Sequence, residues 1–184
     1  MEPLLRRARE CAQELEKQEE VIVISHVDAD GLASAGIISR ALDKAEIGHT
    51  VKIVKKLDAS VLQAISDAEA VVFTDLGSGS LDLIDDFGAL CVVADHHRPQ
   101  GRSETVLHLN PHLFGFNGAT DLSGSGATYL IARALGENTE LSDLAVVGAV
   151  GDLQHVRAGR LQGVNRLILE EASKHAIVRV EKDL

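Results

Sequence analysis

The chain has 184 residues, 45% of them hydrophobic and 25% charged, which suits one ordinary globular domain. Lys and Arg total 18 against 28 Asp and Glu, a formal charge of −10, so binding of nucleic acid through a basic surface alone is disfavoured. Aromatic residues are 3% of the chain and tryptophan is absent, which argues against a stacking platform for single strands.

Leu4 to about Gln18 reads as an amphipathic helix. It is charged and has no apolar signal core, which predicts a cytoplasmic protein. Val21 to Ile24 is a β-branched run without polar alternation, the pattern of a strand buried on both faces of a parallel sheet. Gly31 to Ala45 carries small and apolar residues at helical spacing. Thr50 to Val54 is a second strand, and Asp58 to about Ala68 a helix with Asp58 or Ser60 at its start. Ala70 to Thr74 is a third strand, Ser80 to Phe87 a short helix, Leu90 to Ala94 a fourth strand and Val106 to Leu109 a fifth. After Pro111 the texture changes. Gly115 to Gly126 reads as loop, followed by helices at Ser125 to Leu135, Leu141 to Gly151 and Val164 to His175. Ala176 to Val180 reads as a last strand or the start of a linker.

This succession predicts an α/β fold with a mostly parallel β-sheet and helices on both faces, a Rossmann-like arrangement, followed by a helical C-terminal part. A single domain is expected over 1–184. It comprises an N-terminal helix (1–20), the sheet core (21–110) and a mainly helical part (111–184). No segment approaches the roughly 20 apolar residues of a membrane span, so no membrane partner is expected. Cys11 and Cys91 form no disulfide framework.

Three motifs directly follow strands: Ser25-His26-Val27-Asp28-Ala29-Asp30-Gly31, Thr74-Asp75-Leu76-Gly77 and Asp95-His96-His97-Arg98. In open α/β sheets, ligands bind outside the carboxyl ends of strands. A fourth, Gly148-Ala149-Val150-Gly151-Asp152, places a carboxylate at the end of an apolar helix. Singly, each has a plainer explanation. Asp-X-Asp is usually a solvated turn, paired histidines are often filler, and Asp75 can cap a helix. Their convergence on strand ends favours a ligand site.

His26, Asp28, Asp30, Asp75, His96 and Asp152 are four carboxylates and two imidazoles. Such mixed oxygen and nitrogen donors suit Mn²⁺ or Mg²⁺ better than a thiolate-bound zinc. Six donors exceed the need of one catalytic ion. With one bridging carboxylate they suit two ions about 3.5–4 Å apart, the arrangement used for phosphoester hydrolysis. Two such ions change the formal charge of −10 to −6. Ser123 to Gly126 before a helix is a second candidate, with Ser125 presenting backbone N–H groups to a phosphate or merely belonging to a capped loop. Arg98 is placed to touch a phosphate or to lie on the surface. His49, His108, His112, His155 and His175 read as structural.

Together the four motifs resemble the DHH phosphoesterase superfamily. The stretch Leu109-Asn110-Pro111-His112, then Gly118, then Leu122 to Ala127, looks most like its RecJ-like branch, especially the archaeal members. The resemblance implies one metal on His26, Asp28 and Asp75, and another on Asp30, Asp75, His96 and Asp152. It also implies that His97 faces the substrate phosphate and Asp95 orients a histidine. The implied activity is Mn²⁺- or Mg²⁺-dependent hydrolysis of single-stranded DNA or RNA, as a RecJ-like 5′–3′ exonuclease. Two alternatives are a diesterase or phosphatase of small nucleotides (oligoribonucleotides, bisphosphates or cyclic dinucleotides) and a replisome scaffold. Docking to a replication complex of the GINS type is a further implication for archaeal relatives. Family members of this type carry a C-terminal domain that grips the substrate; nothing after Asp152 resembles it, and it is expected to be absent.

Overall fold

A computed structural model describes residues 1–181. Five parallel strands form one sheet in the order β2-β1-β3-β4-β5. They are β1 (Glu20–His26), β2 (Gly48–Val54), β3 (Ala70–Thr74), β4 (Leu90–Ala94) and β5 (Leu107–Leu109). The helices are α1 (Glu2–Leu15), α2 (Ala29–Lys44), α3 (Ala59–Gln63), α4 (Leu81–Asp85), α5 (Gly124–Leu135), α6 (Ser142–Gly151) and α7 (Gly163–Lys174). The expected α/β fold, with a parallel sheet, helices on both faces and a helical C-terminal part, is the one observed.

Alternation along the strands divides the core in two. Val21, Val23, Ala70, Val72, Val92 and Ala94 face a cluster built with α1, α2 and α5. Ile24, Val71, Phe73, Cys91 and Val93 face the opposite cluster, which holds Leu62, Leu81 and Ile84 from α3 and α4. Both faces are therefore apolar, as a covered parallel sheet requires. On α1 the buried residues Leu4, Ala8, Cys11, Ala12 and Leu15 follow helical spacing, which lays one stripe on the sheet.

α3 and α4 are shorter than their sequence patterns suggest. Asp58 caps α3 by accepting from Ser60 N and Val61 N, and residues 64–67 continue as turns. α4 ends in Asp85 and Asp86, and Gly88 then adopts φ +80, a left-handed stop that glycine tolerates. Ala176–Val180 forms turn, bend and irregular backbone, with no strand. No helix of the described residues is long and apolar enough to cross a membrane.

The strand order reverses between β1 and β3, and such a switch point opens a crevice at the carboxyl ends. Ser25 pairs with Thr74, and Thr74 with Ala94. In-register ends thus set His26, Asp75 and Asp95 side by side on three strands. A hydrogen bond from Thr74 Oγ1 to Ser25 Oγ, 2.7 Å, ties the two strands together at that point.

Candidate metal centre

Each acidic side chain at this end is placed by a local device. Asp28 is the N-cap of α2 and accepts from Gly31 N at 2.9 Å. Asp30, in the first turn of α2, is 1% exposed. It accepts from Gly124 N at 2.7 Å and Ser125 N at 3.0 Å, the amides that open α5. A helix N-terminus suits an anion, and here the anion is a carboxylate of the same chain. Asp75 follows β3 with φ 57, a left-handed conformation that Asp tolerates better than most residues but that still carries strain. Asp152 caps the carboxyl end of α6. A Cβ on Gly124 would come within 2.4 Å of Asp75 Oδ1, and one on Gly148 within 2.5 Å of Asp30 Oδ1. Glycine at both positions lets helices approach the carboxylates.

The six expected ligands are brought together in two sets. His26, Asp28 and Asp75 form one, and Asp30, His96 and Asp152 the other, with donor atoms in each within 4.8 Å of one another. His26 Nδ1 lies 2.8 Å from Asp28 Oδ2 and 3.8 Å from Asp75 Oδ2. His96 Nε2 lies 3.3 Å from Asp75 Oδ1, 3.8 Å from Asp30 Oδ2 and 3.7 Å from Asp152 Oδ2. The two Asp75 oxygens therefore face different sets.

The donor set fits divalent cations. Both Asp75 carboxylate oxygens and His26 Nδ1 are buried and make no well-aligned hydrogen bond, although Asp28 Oδ2 lies 2.8 Å from His26 Nδ1 and His96 Nε2 3.3 Å from Asp75 Oδ1. Buried polar atoms are rarely left so. His96 Nδ1 donates to Gly118 O at 2.7 Å, which leaves Nε2 aimed at three carboxylates. Burial pushes the Asp75 carboxyl up to about 8, with the nearby Asp30 charge adding to the rise. Burial opposes protonation of His96, but Asp75, Asp30 and Asp95 outweigh it and raise the imidazole to about 10. Without a cation, the cluster thus holds protons against its own negative charge.

Asp95 lies outside both sets. It is fully buried and its oxygens are engaged. Oδ1 accepts from His96 N, His97 N and His97 Nδ1, and Oδ2 from Ser78 N. Burial opposes its ionisation, but the His97 contact and these amides hold it well below the usual carboxylate range. With Asp75, His96 and His97 it makes a third group of donor atoms within 4.8 Å of one another, but its four accepted bonds already occupy both oxygens. His97 is held through Nδ1 at 2.8 Å, and its side chain is 56% exposed. The Asp95 hydrogen bond raises its pKa.

His97, Arg98, Lys55, Lys56, His26 and Asp75 line a cleft of about 410 Å³. A larger groove of about 860 Å³ opens at the amino ends of β1 and β3, around Glu19, Glu20, Asp67 and Glu69. That is the end of a parallel sheet where ligands are not expected.

Ser125 departs from its expected place at a substrate phosphate. It is 0% exposed. Its amide serves Asp30, and its hydroxyl meets Ser123 Oγ at 2.9 Å and Ala145 O at 3.1 Å. The amides at this helix start are occupied by Asp30, so no substrate phosphate reaches them.

The family model for the DHH family, N-terminal domain, matches residues 20–151. The chain belongs to the DHH family. An uncharacterized protein of Methanocaldococcus jannaschii is 33% identical over 171 residues, covering 88% of this chain and 39% of its own. The exonuclease RecJ bound to manganese superposes with a TM-score of 0.75 at 23% identity, over 91% of this chain and 46% of that one. CDC45 from Entamoeba histolytica superposes with a TM-score of 0.61 at 14% identity, over 96% of this chain and 38% of that one. The two solved structures show a shared DHH fold. The chain spans less than half the length of each of these proteins.

Four residues around this DHH site escaped the sequence reading. Lys55 and Lys56 directly follow β2, a strand-end signal of the kind that marked the other motifs. Gln154 and Asn165 carry no such signal, because their partners are assembled only by the packing of α5, α6 and α7.

Proposed function

We propose that this DHH chain is a Mn²⁺- or Mg²⁺-dependent phosphodiesterase with two ions sharing Asp75. The observation that carries the reading is Asp75 itself. It is buried with no well-aligned hydrogen bond, and it turns one oxygen toward His26 and the other toward His96. His26, Asp28 and Asp75 would hold one ion, and Asp30, Asp75, His96 and Asp152 the other. When bound, the ions supply charge neutralisation at the phosphoryl group and acidify water near neutral pH.

The remaining chemistry belongs to this chain. His97 keeps Nδ1–H on Asp95, so Nε2 is free for the substrate. From that position a protonated imidazole would donate to a phosphoryl or leaving oxygen. Asp95 stays ionised and fixes the ring. Lys55, Lys56 and Arg98 give the cleft a cationic wall for a neighbouring phosphate.

Single-stranded DNA or RNA is the favoured substrate, attacked as by a RecJ-like 5′–3′ exonuclease. A cleft of about 410 Å³ also suits a dinucleotide or cyclic dinucleotide, which is the second reading. The CDC45 likeness supports the fold of a scaffold, but the complete ligand set supports an enzyme. A replication-complex partner and a cytoplasmic location belong to this proposal as well. Release of nucleotides from end-labelled strands in Mn²⁺ tests the reading.

His97→Ala separates chemistry from metal binding. Turnover is expected to fall about 10²- to 10⁴-fold, while Mn²⁺ affinity measured by calorimetry stays as in the wild type. Loss of an ion together with activity would move His97 into the ligand set.

A further inference from the structure

The two ligand sets are supported very differently. His26 and Asp28 have side chains 29% and 51% exposed, against 1%, 8% and 31% for Asp30, His96 and Asp152, and Asp28 is held by an amide of its own helix. Asp30, His96 and Asp152 come from α2, the end of β4 and the end of α6. A chain of buried amides joins all three. Gln154, 1% exposed, donates from Nε2 to Asp152 Oδ2 at 2.9 Å and to Gly118 O at 2.9 Å. Gly118 O also receives His96 Nδ1–H at 2.7 Å. A Cβ at Gly118 would meet His96 O at 1.9 Å, so only glycine brings this carbonyl to the ring.

Behind Gln154 stands Asn165 of α7, 2% exposed. Its Nδ2 donates to Gln154 Oε1 at 2.6 Å, and its Oδ1 accepts from Ser123 N at 3.2 Å. Ser123 caps α5, whose first amides hold Asp30. Asn165 thereby fixes which way the Gln154 amide points. Reversed, the amide would bring its oxygen against Gly118 O and Asp152 Oδ2, with only the His96 Nδ1–H, already given to Gly118 O, within reach of the three acceptors. None of these bonds reaches His26 or Asp28.

We infer that Gln154 and Asn165 are positioning residues for the Asp30–His96–Asp152 metal position alone, and that they make it the tighter of two unequal positions. The inference rests on the two-ion reading above. Groups that orient metal ligands through hydrogen bonds typically change affinity about 10–100-fold when removed. Met in place of Gln154 keeps the bulk and removes the donors. Asp in place of Asn165 keeps the shape but cannot donate to Gln154.

The test is calorimetric titration of the whole chain with Mn²⁺, with electron paramagnetic resonance reporting spin coupling between bound ions. Melting in EDTA confirms that each variant is folded. The wild type is expected to bind two ions of unequal affinity. Gln154→Met should weaken the tighter one about 10–100-fold and leave the other unchanged. Asn165→Asp should weaken the same ion, and it carries the test if Gln154→Met does not fold. His26→Ala should affect the other ion. Wild-type binding of both ions in Gln154→Met and Asn165→Asp, or equal weakening of both ions, overturns the inference. A wild type that binds fewer than two ions instead refutes the two-ion reading.

Discussion

Asp75→Asn is expected to abolish hydrolysis and to loosen both ions together. Asn keeps the size of the side chain and tolerates the positive φ of 57 at this position, so the backbone has no reason to move. What disappears is the charge and one of two oxygen donors. The carboxylate stands between His26 and His96, 3.8 Å and 3.3 Å away, so no neighbouring residue replaces it. A fall of at least about 10³-fold in turnover, about 4 kcal/mol of barrier, is the expected outcome. Substitution of Asp28, half exposed and confined to one set, should be milder. An Asp75→Asn protein that keeps most of its activity would remove the shared-ligand assignment.

Metal and pH should change the stability of the protein in opposite senses. Asp75 rises from 3.8 to about 8 on folding, chiefly by burial, and His96 from 6.5 to about 10, where its carboxylate neighbours outweigh burial. Both groups bind protons more tightly when folded. Their contribution is therefore complete below the unfolded values and is lost as the pH rises through the folded ones. Asp95 and Asp28 are shifted downward, so their contribution is present at neutral pH and lost in acid. In EDTA, the contribution of this pair should decline from about pH 4, where Asp75 begins to ionise in the unfolded chain, to about pH 10, where His96 loses its proton in the folded one. Divalent ions replace the protons. At about 100 times its dissociation constant, each ion adds about 2.7 kcal/mol. For a domain of this size, two ions raise the melting temperature by about 10–20 °C. Thermal melts at pH 6 and pH 9, with EDTA and with Mn²⁺, measure both effects. A melting curve unmoved by saturating Mn²⁺ would show that no preformed site exists.

The fold and the clustering of the candidate ligands were legible because both depend on short-range pattern. Val21–Ile24 and Ala70–Thr74 are apolar on both sides, which few structures besides a covered parallel strand accept. Motifs placed immediately after such strands must arrive at one end of the sheet. Spacing could not tell which carboxylates remain free. Asp95 and Asp75 each follow a strand, yet one is saturated by amides and the other left bare. The difference lies in Ser78 N and His97 Nδ1, which come from the folded loop. For a similar reason the sequence left two readings of Ser125 open. The sequence signals an N-terminal cap at α5, but the anion seated there is Asp30, 95 residues away. Gln154 and Asn165 look like ordinary polar residues until helices α5, α6 and α7 pack around the centre.

Digestion of single-stranded DNA and RNA, labelled at the 5′ or the 3′ end, tests the central claim most directly. It would be run in Mn²⁺ beside dinucleotides, with Asp75→Asn as the control. The predicted result is Mn²⁺-dependent stepwise release from the 5′ end that vanishes in the variant. Hydrolysis of dinucleotides alone would keep the metal chemistry but assign a small-nucleotide substrate. No cleavage of any phosphodiester, with two ions bound and the protein folded, would contradict the account.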